Sequence, residues 1–232
     1  MSVENRMLVG SKPPNHSGSS SMEERVYDEI KRMSINYLPK PGQRINEIDV
    51  SKQLGVSRTP VRQALSRLNT EGFVRFAPGE GFYIRELNQK EVVDLYELRK
   101  AIEFHGVKLS ISQAKDEDIE ALRKFVSSTG LQSEDRTREE LVSLDEEFHE
   151  RLVALSGNQE LVRLIRNVNE RIRFFRSIGI ESISLSQRQK GHEKIVAAVS
   201  ERNLNNAVEL LGMHMSRRLE TAIREGILHI YA

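Results

Sequence analysis

The 232-residue sequence predicts a mainly α protein: an N-terminal winged helix-turn-helix followed by a C-terminal all-α helical bundle. Three observations lead there. Leu54-Gly-Val-Ser-Arg-Thr-Pro-Val-Arg-Gln-Ala-Leu65 reads as a tight turn and the second helix of a helix-turn-helix. After Gly72 the apolar spacing changes from helical to alternating, across two short aromatic and β-branched runs. From Gln89 to Ala232 there is no proline, and amphipathic helical segments succeed one another.

The elements follow in order. Residues 1–21 are polar, rich in Ser, Asn, Pro and Gly, and are expected to form a disordered tail. A first helix spans about 22–37, with Val26, Ile30 and Met33 on one side, and Leu38-Pro-Lys-Pro-Gly42 ends it. Arg44-Ile-Asn46 is expected as a short strand or extended link. A second helix covers 47–54, with Ile48, Val50 and Leu54 facing inward. Gly55 suits a turn that requires positive φ, Ser57 reads as an N-cap, and Pro60 falls in the first turn of the next helix. That helix runs from Ser57 to about Glu71 and buries Val61, Leu65 and Leu68. Arg58 and Arg62 share a face at its N-terminal end, the end that enters the major groove in a helix-turn-helix. Phe73–Phe76 and Gly81–Arg85 then pair as a hairpin around a Gly-rich tip, completing a winged unit over 22–87.

The remainder, 88–232, divides into helices at about 89–113, 116–128, 136–156, 158–178, 185–201 and 203–228. Three of them carry polar residues within their apolar stripes. Asp145 and His149 lie among Leu141, Leu144, Phe148, Leu152 and Leu155. His192 precedes Ile195, Val196 and Val199, and His214 follows Ala207, Leu210 and Leu211. Burying such groups is costly unless they are paired or metal-bound. Singly, each histidine fits a hydrogen-bonded core position, and Asp145 with His149 fits a buried Asp–His pair. Together, four ligands from three helices can converge on a divalent cation whose open positions an anionic small molecule would complete. Arg99 and Glu103 stand at i, i+4 on another helix. They read either as a surface or interdomain salt bridge or, for Arg99, as a clamp for a ligand carboxylate.

Composition narrows the function. With no cysteine there are no disulfides and no thiolate metal sites, and no apolar run is long enough for a membrane span; a cytoplasmic protein without membrane contact is the expectation. Net charge is +1, so DNA binding cannot be argued from the whole chain. Between Ser51 and Thr70, however, Lys52, Arg58, Arg62 and Arg67 are unopposed by any acid.

The motifs GVSRTPVRQAL and EGFVRFAPGEGFYIREL resemble the winged helix-turn-helix of the GntR family of bacterial transcription regulators. VVDLYELRKAIE, the Asp145/His149 spacing, His192 and His214 resemble the FadR-type branch with its all-helical FCD effector domain. The resemblance implies a homodimer on a palindromic double-stranded operator. It also implies a zinc- or nickel-like ion held by Asp145, His149, His192 and His214, and a small organic acid bound at that ion with help from Arg99. DNA contacts are implied for Ser57, Arg58, Thr59 and Arg62, with Gly81 at the wing. FadR itself binds acyl-CoA without this metal set, so the chain is more similar to the organic-acid sensors. Ile48 or a neighbour stands where some members carry a DNA-contacting arginine, and His105 has no assigned role. The expected function is a metabolite-responsive regulator, a repressor and not an enzyme. The alternative is a metal-dependent enzyme acting on a small carboxylate substrate. A purely architectural DNA-binding protein is disfavoured by the modest charge.

Overall fold

The computed structural model describes residues 21–129, 136–179 and 185–230. The expected tail up to residue 20 and the expected helix breaks at Gly130 and 180–184 lie outside them.

Helix α1 (Met22–Ile35) begins at Ser21, whose side chain accepts from the Glu24 amide, and α2 (Glu47–Leu54) at Asn46, which accepts from Ile48 and Asp49. Gly55 ends α2 at φ 65° in the left-handed region. The recognition helix α3 (Arg58–Glu71) ends at Gly72, φ 85°. Ser57 does occupy its N-cap position, but its side chain makes no capping bond. Strands β1 (Val74–Ala77) and β2 (Gly81–Ile84) pair antiparallel, with Val74 opposite Ile84. A bridge from Arg44 to Tyr83 adds the segment before α2 to this wing, so the extended reading of Arg44-Ile-Asn46 holds. Ile30, Val61, Leu65, Leu68, Val74 and Ile84 form one core. Full burial of each large member is worth about 1.5–3 kcal/mol. Ile48 is 46% exposed, contrary to expectation. A two-turn helix has a single buried stripe, and Val50 and Ser51 occupy it.

Asn88 and Glu91 form a capping box that starts the long α4 (Gln89–Gln113). Then come α5 (Asp116–Ser128) and α6 (Arg138–Ala154), the latter opened by a Thr137/Glu140 capping box. Next are α7 (Gln159–Arg171), α8 (Arg173–Gly179), α9 (Leu185–Ser200) and α10 (Leu204–Ile230). The segment expected as one helix over 158–178 is therefore two. The break falls at Ile172, φ −96° and ψ 3°, with no proline or glycine to mark it. Ile172 is fully buried, and the turn lets α7 pack on α4 and α6 while α8 packs on α10. Two apolar clusters result. Val107, Phe148, Leu152, Ile195, Val199 and Leu211 form one; Val92, Tyr96, Ile102, Ile165 and Phe175 form the other, with α4 contributing to both.

Helix α7 also abuts the recognition helix. Asn167 Nδ2 donates to the Glu71 carbonyl at 3.2 Å, and Glu170 pairs with Lys31 of α1 at 2.7 Å. The Arg171 guanidinium lies against Gly72, where a Cβ would meet its Nε at 3.1 Å. Just past the break, the Phe174 ring sits 4.4 Å from that of Tyr37.

Candidate functional site

The N-terminal face of α3 is polar and open: Ser57, Arg58, Thr59 and Arg62 are all exposed. The missing cap bond leaves the Ser57 hydroxyl uncommitted at a helix N-terminus, where amides and macrodipole favour an anion. Arg58 stands 3.6 Å from Glu47, a weak surface pair that leaves most of its guanidinium in solvent. Arg67 differs. It lies over the Tyr27 ring at 3.7 Å and pairs with Glu24 and Glu71, so it joins α3 to α1 and is not part of the open face. Gly81 starts β2 at φ 107°, and the Arg44 guanidinium lies 3.5 Å from where its Cβ would be. Only glycine takes that backbone geometry readily.

In the helical bundle, Asp145 and His149 of α6, His192 of α9 and His214 of α10 offer ligand atoms that all lie within 4.8 Å of one another. The first three are buried and His214 is partly so. His192 Nε2 is 3.3 Å from Asp145 Oδ1, and the Nε2 atoms of His149 and His214 approach to 3.2 Å. Gly191 lies against this cluster, where a Cβ would sit 3.4 Å from His214 Nδ1. Phe148 stacks on His192 with centroids 3.8 Å apart and fixes its ring plane.

The donor chemistry suits a divalent cation. Burial pushes all three imidazoles below their ordinary pKa, His149 and His214 well below, and their arginine and histidine neighbours add to the shift at His149 and His214. Metal ligation requires such neutral rings. Burial alone would raise Asp145, but Arg218, the His192 hydrogen bond and Arg176 outweigh it and hold the carboxyl well below the usual range. A carboxylate and three neutral imidazoles are thus ready as ligands.

Around them lies a set of charges: Arg99 and Glu103, which the sequence pattern had marked, and Arg176, Arg188 and Arg218, which it had not. His149 Nδ1 meets Glu103 Oε2 at 2.6 Å, and Arg99 Nε donates to Glu103 Oε1 at 2.7 Å. Arg99 and Glu103 are 1% and 0% exposed, so the pair is neither at the surface nor between domains. Arg99 Nη2 is buried without a hydrogen-bond partner among the described residues, which leaves one donor of the expected clamp uncommitted. Arg176 Nη2 and Arg218 Nη2 donate to the two oxygens of Asp145, at 2.5 and 2.7 Å. Arg188 is buried nearby, its pKa lowered to about 10 by burial and by Arg218. Helical spacing could have found two of these, since Arg188 and Arg218 stand one turn from His192 and His214 on the same stripes. Arg176 was hidden by the unmarked break at Ile172.

His105 lies apart from this cluster. With Ala101, Phe104 and Lys108 of α4 and Leu204 and Val208 of α10, it lines an open groove.

Comparison with known proteins bears on both sites. Residues 22–84 match the family described as bacterial regulatory proteins, gntR family, and residues 94–217 match the FCD domain. The chain is 39% identical over 202 residues to the Nta operon transcriptional regulator of Aminobacter aminovorans, covering 86% of this chain and 95% of that protein. It shares its fold with McbR/YncC of E. coli, at TM-score 0.68 and 21% identity over 91% of this chain and 98% of that one. The metal-free FCD domain of TM0439 aligns at TM-score 0.50 and 17% identity, covering 60% of this chain and 96% of that one. FCD domains can bind metal, and they bind small-molecule effectors. No helix among the described residues is long and apolar enough to cross a membrane. With a gntR-type reading head matched at one end and an FCD bundle at the other, this chain belongs to the GntR family of DNA-binding transcription regulators with an FCD effector domain, and is not an enzyme.

Proposed function

We propose that this regulator is a cytoplasmic, metabolite-responsive repressor whose FCD domain binds one divalent metal, zinc or nickel, and a small organic acid. The observation that carries the reading is the convergence of Asp145, His149, His192 and His214 within 4.8 Å inside the effector domain. In this reading residues 22–87 read DNA, while 88–232 sense the effector and hold two copies together as a homodimer. The two recognition helices then enter successive major grooves of a palindromic operator, about 34 Å apart. Ser57, Arg58, Thr59 and Arg62 face the DNA, and Gly81 lets the wing approach it.

The metal would supply a Lewis-acidic centre with open positions for the effector's carboxylate. Glu103 accepts from His149 Nδ1–H and so directs its Nε2 at the ion, a carboxylate–histidine arrangement common around metals. Arg99, held by Glu103, offers its remaining donor to the acid. A ligand preferring one arrangement of the dimer shifts the population towards it, and with it the spacing of the reading heads.

The test is metal analysis of the purified protein. About one ion per chain is expected, with His149→Ala and His192→Ala each losing it. Full metal content in both variants would remove the site.

A further inference from the structure

The carboxylate that the metal requires is already in use. Both oxygens of Asp145 accept from guanidinium groups, Arg176 at 2.5 Å and Arg218 at 2.7 Å. A dication joining two guanidinium charges on one buried carboxylate meets repulsion that little solvent screens, so the arginine with another anion in reach is the one to yield. That residue is Arg176. Its Nη1 already approaches Glu146 Oε1 at 3.3 Å, one residue along α6 from Asp145.

Arg176 sits on α8, and its Nη1 also donates to Asn169 Oδ1 of α7 at 3.0 Å, across the break at Ile172. The two short helices are therefore tied together. From Asn169 the path to the recognition helix is one further turn: Asn167 caps the Glu71 carbonyl, and Arg171 lies against Gly72. One segment, 167–176, thus touches a metal ligand at one end and the C-terminal end of the recognition helix at the other.

We propose that Arg176 leaves Asp145 for Glu146 when a metal claims Asp145, and that α7–α8 carries this change to the end of α3. The proposal rests on the metal reading above. It assigns to Arg176 the part of a positioning residue that exchanges one carboxylate for another, and it gives the effector domain a direct hold on the reading head within one chain.

Amide hydrogen exchange on the full chain, with and without zinc, tests it. Zinc should slow exchange in α6, α9 and α10, and should also alter it across 167–176 and at the Gly72 and Phe73 amides, which bond to Asn69 and Leu68 in the cap of α3. Chelator should reverse every change. Asn167→Ala is expected to bind zinc within about two-fold of the parent and respond across 169–176, yet lose the response at residues 72 and 73. Arg176→Gln should bind zinc at least as tightly and lose both; Arg176→Lys serves if the first variant does not fold. A parental response confined to α6, α9 and α10, or a full response at 72 and 73 in the Asn167 variant, overturns the coupling while leaving the metal site intact. Absence of zinc binding by titration calorimetry removes the metal site and the proposal with it.

Discussion

Glu103 and Arg99 show how much a single buried pair can decide. Glu103 is fully buried, and burial raises its carboxyl pKa against the opposing charge of Arg99. The Arg99 guanidinium holds Glu103 through Nε, and in the proposed function it would offer Nη2 to a ligand. Glu103→Gln preserves the shape but removes the charge that orients His149. Its zinc affinity should fall by about 10–100-fold in titration calorimetry, the usual consequence of losing an outer partner of a metal ligand. An unchanged affinity would mean that packing against Phe148 alone orients His149.

At the scale of elements, the ends of the helices were more readable than the bends. Asn46, Asn88, Thr137 and Asn158 all accept from first-turn amides of the helices they begin. Capping chemistry is local and so within reach of a sequence reading, yet only Ser57 was expected as an N-cap, and its side chain makes no capping bond. Gly72 is the sharpest case, because it ends the recognition helix at φ 85° beneath the Arg171 guanidinium. Gly72→Ala should cost about 1–2 kcal/mol in urea unfolding, chiefly from the left-handed backbone, since the arginine can shift. The break at Ile172 had no such signature. It arises because α7 and α8 bury against different partners, and that information lies in the tertiary packing. The same reason hid Arg176, while Asp145, His149, His192 and His214 were visible as polar interruptions of apolar stripes. The exposure of Ile48 was missed for a related cause: a short helix gives too few turns for its spacing to define a buried side.

For the molecule as a whole, the candidate metal ligands come from α6, α9 and α10, which share the cluster of Phe148, Ile195 and Leu211. An ion there would add a further tie to the packing and to the Arg218–Asp145 hydrogen bond that already join these helices. Zinc at about a hundred times its dissociation constant should stabilise the native state by about 2.7 kcal/mol. Calorimetry should show this as a higher Tm for the bundle, abolished by chelator and absent in His149→Ala. A rise that persists in that variant would place the ion elsewhere.

The contact between Asn167 and the Glu71 carbonyl bears on modularity. Fusing this reading head to a different sensor would leave the Glu71 carbonyl without Asn167, Lys31 without its carboxylate, and Tyr37 without the ring beside it. A replacement sensor is expected to restore these contacts in this chain only if it presents an amide, an acid and an aromatic at the positions of Asn167, Glu170 and Phe174.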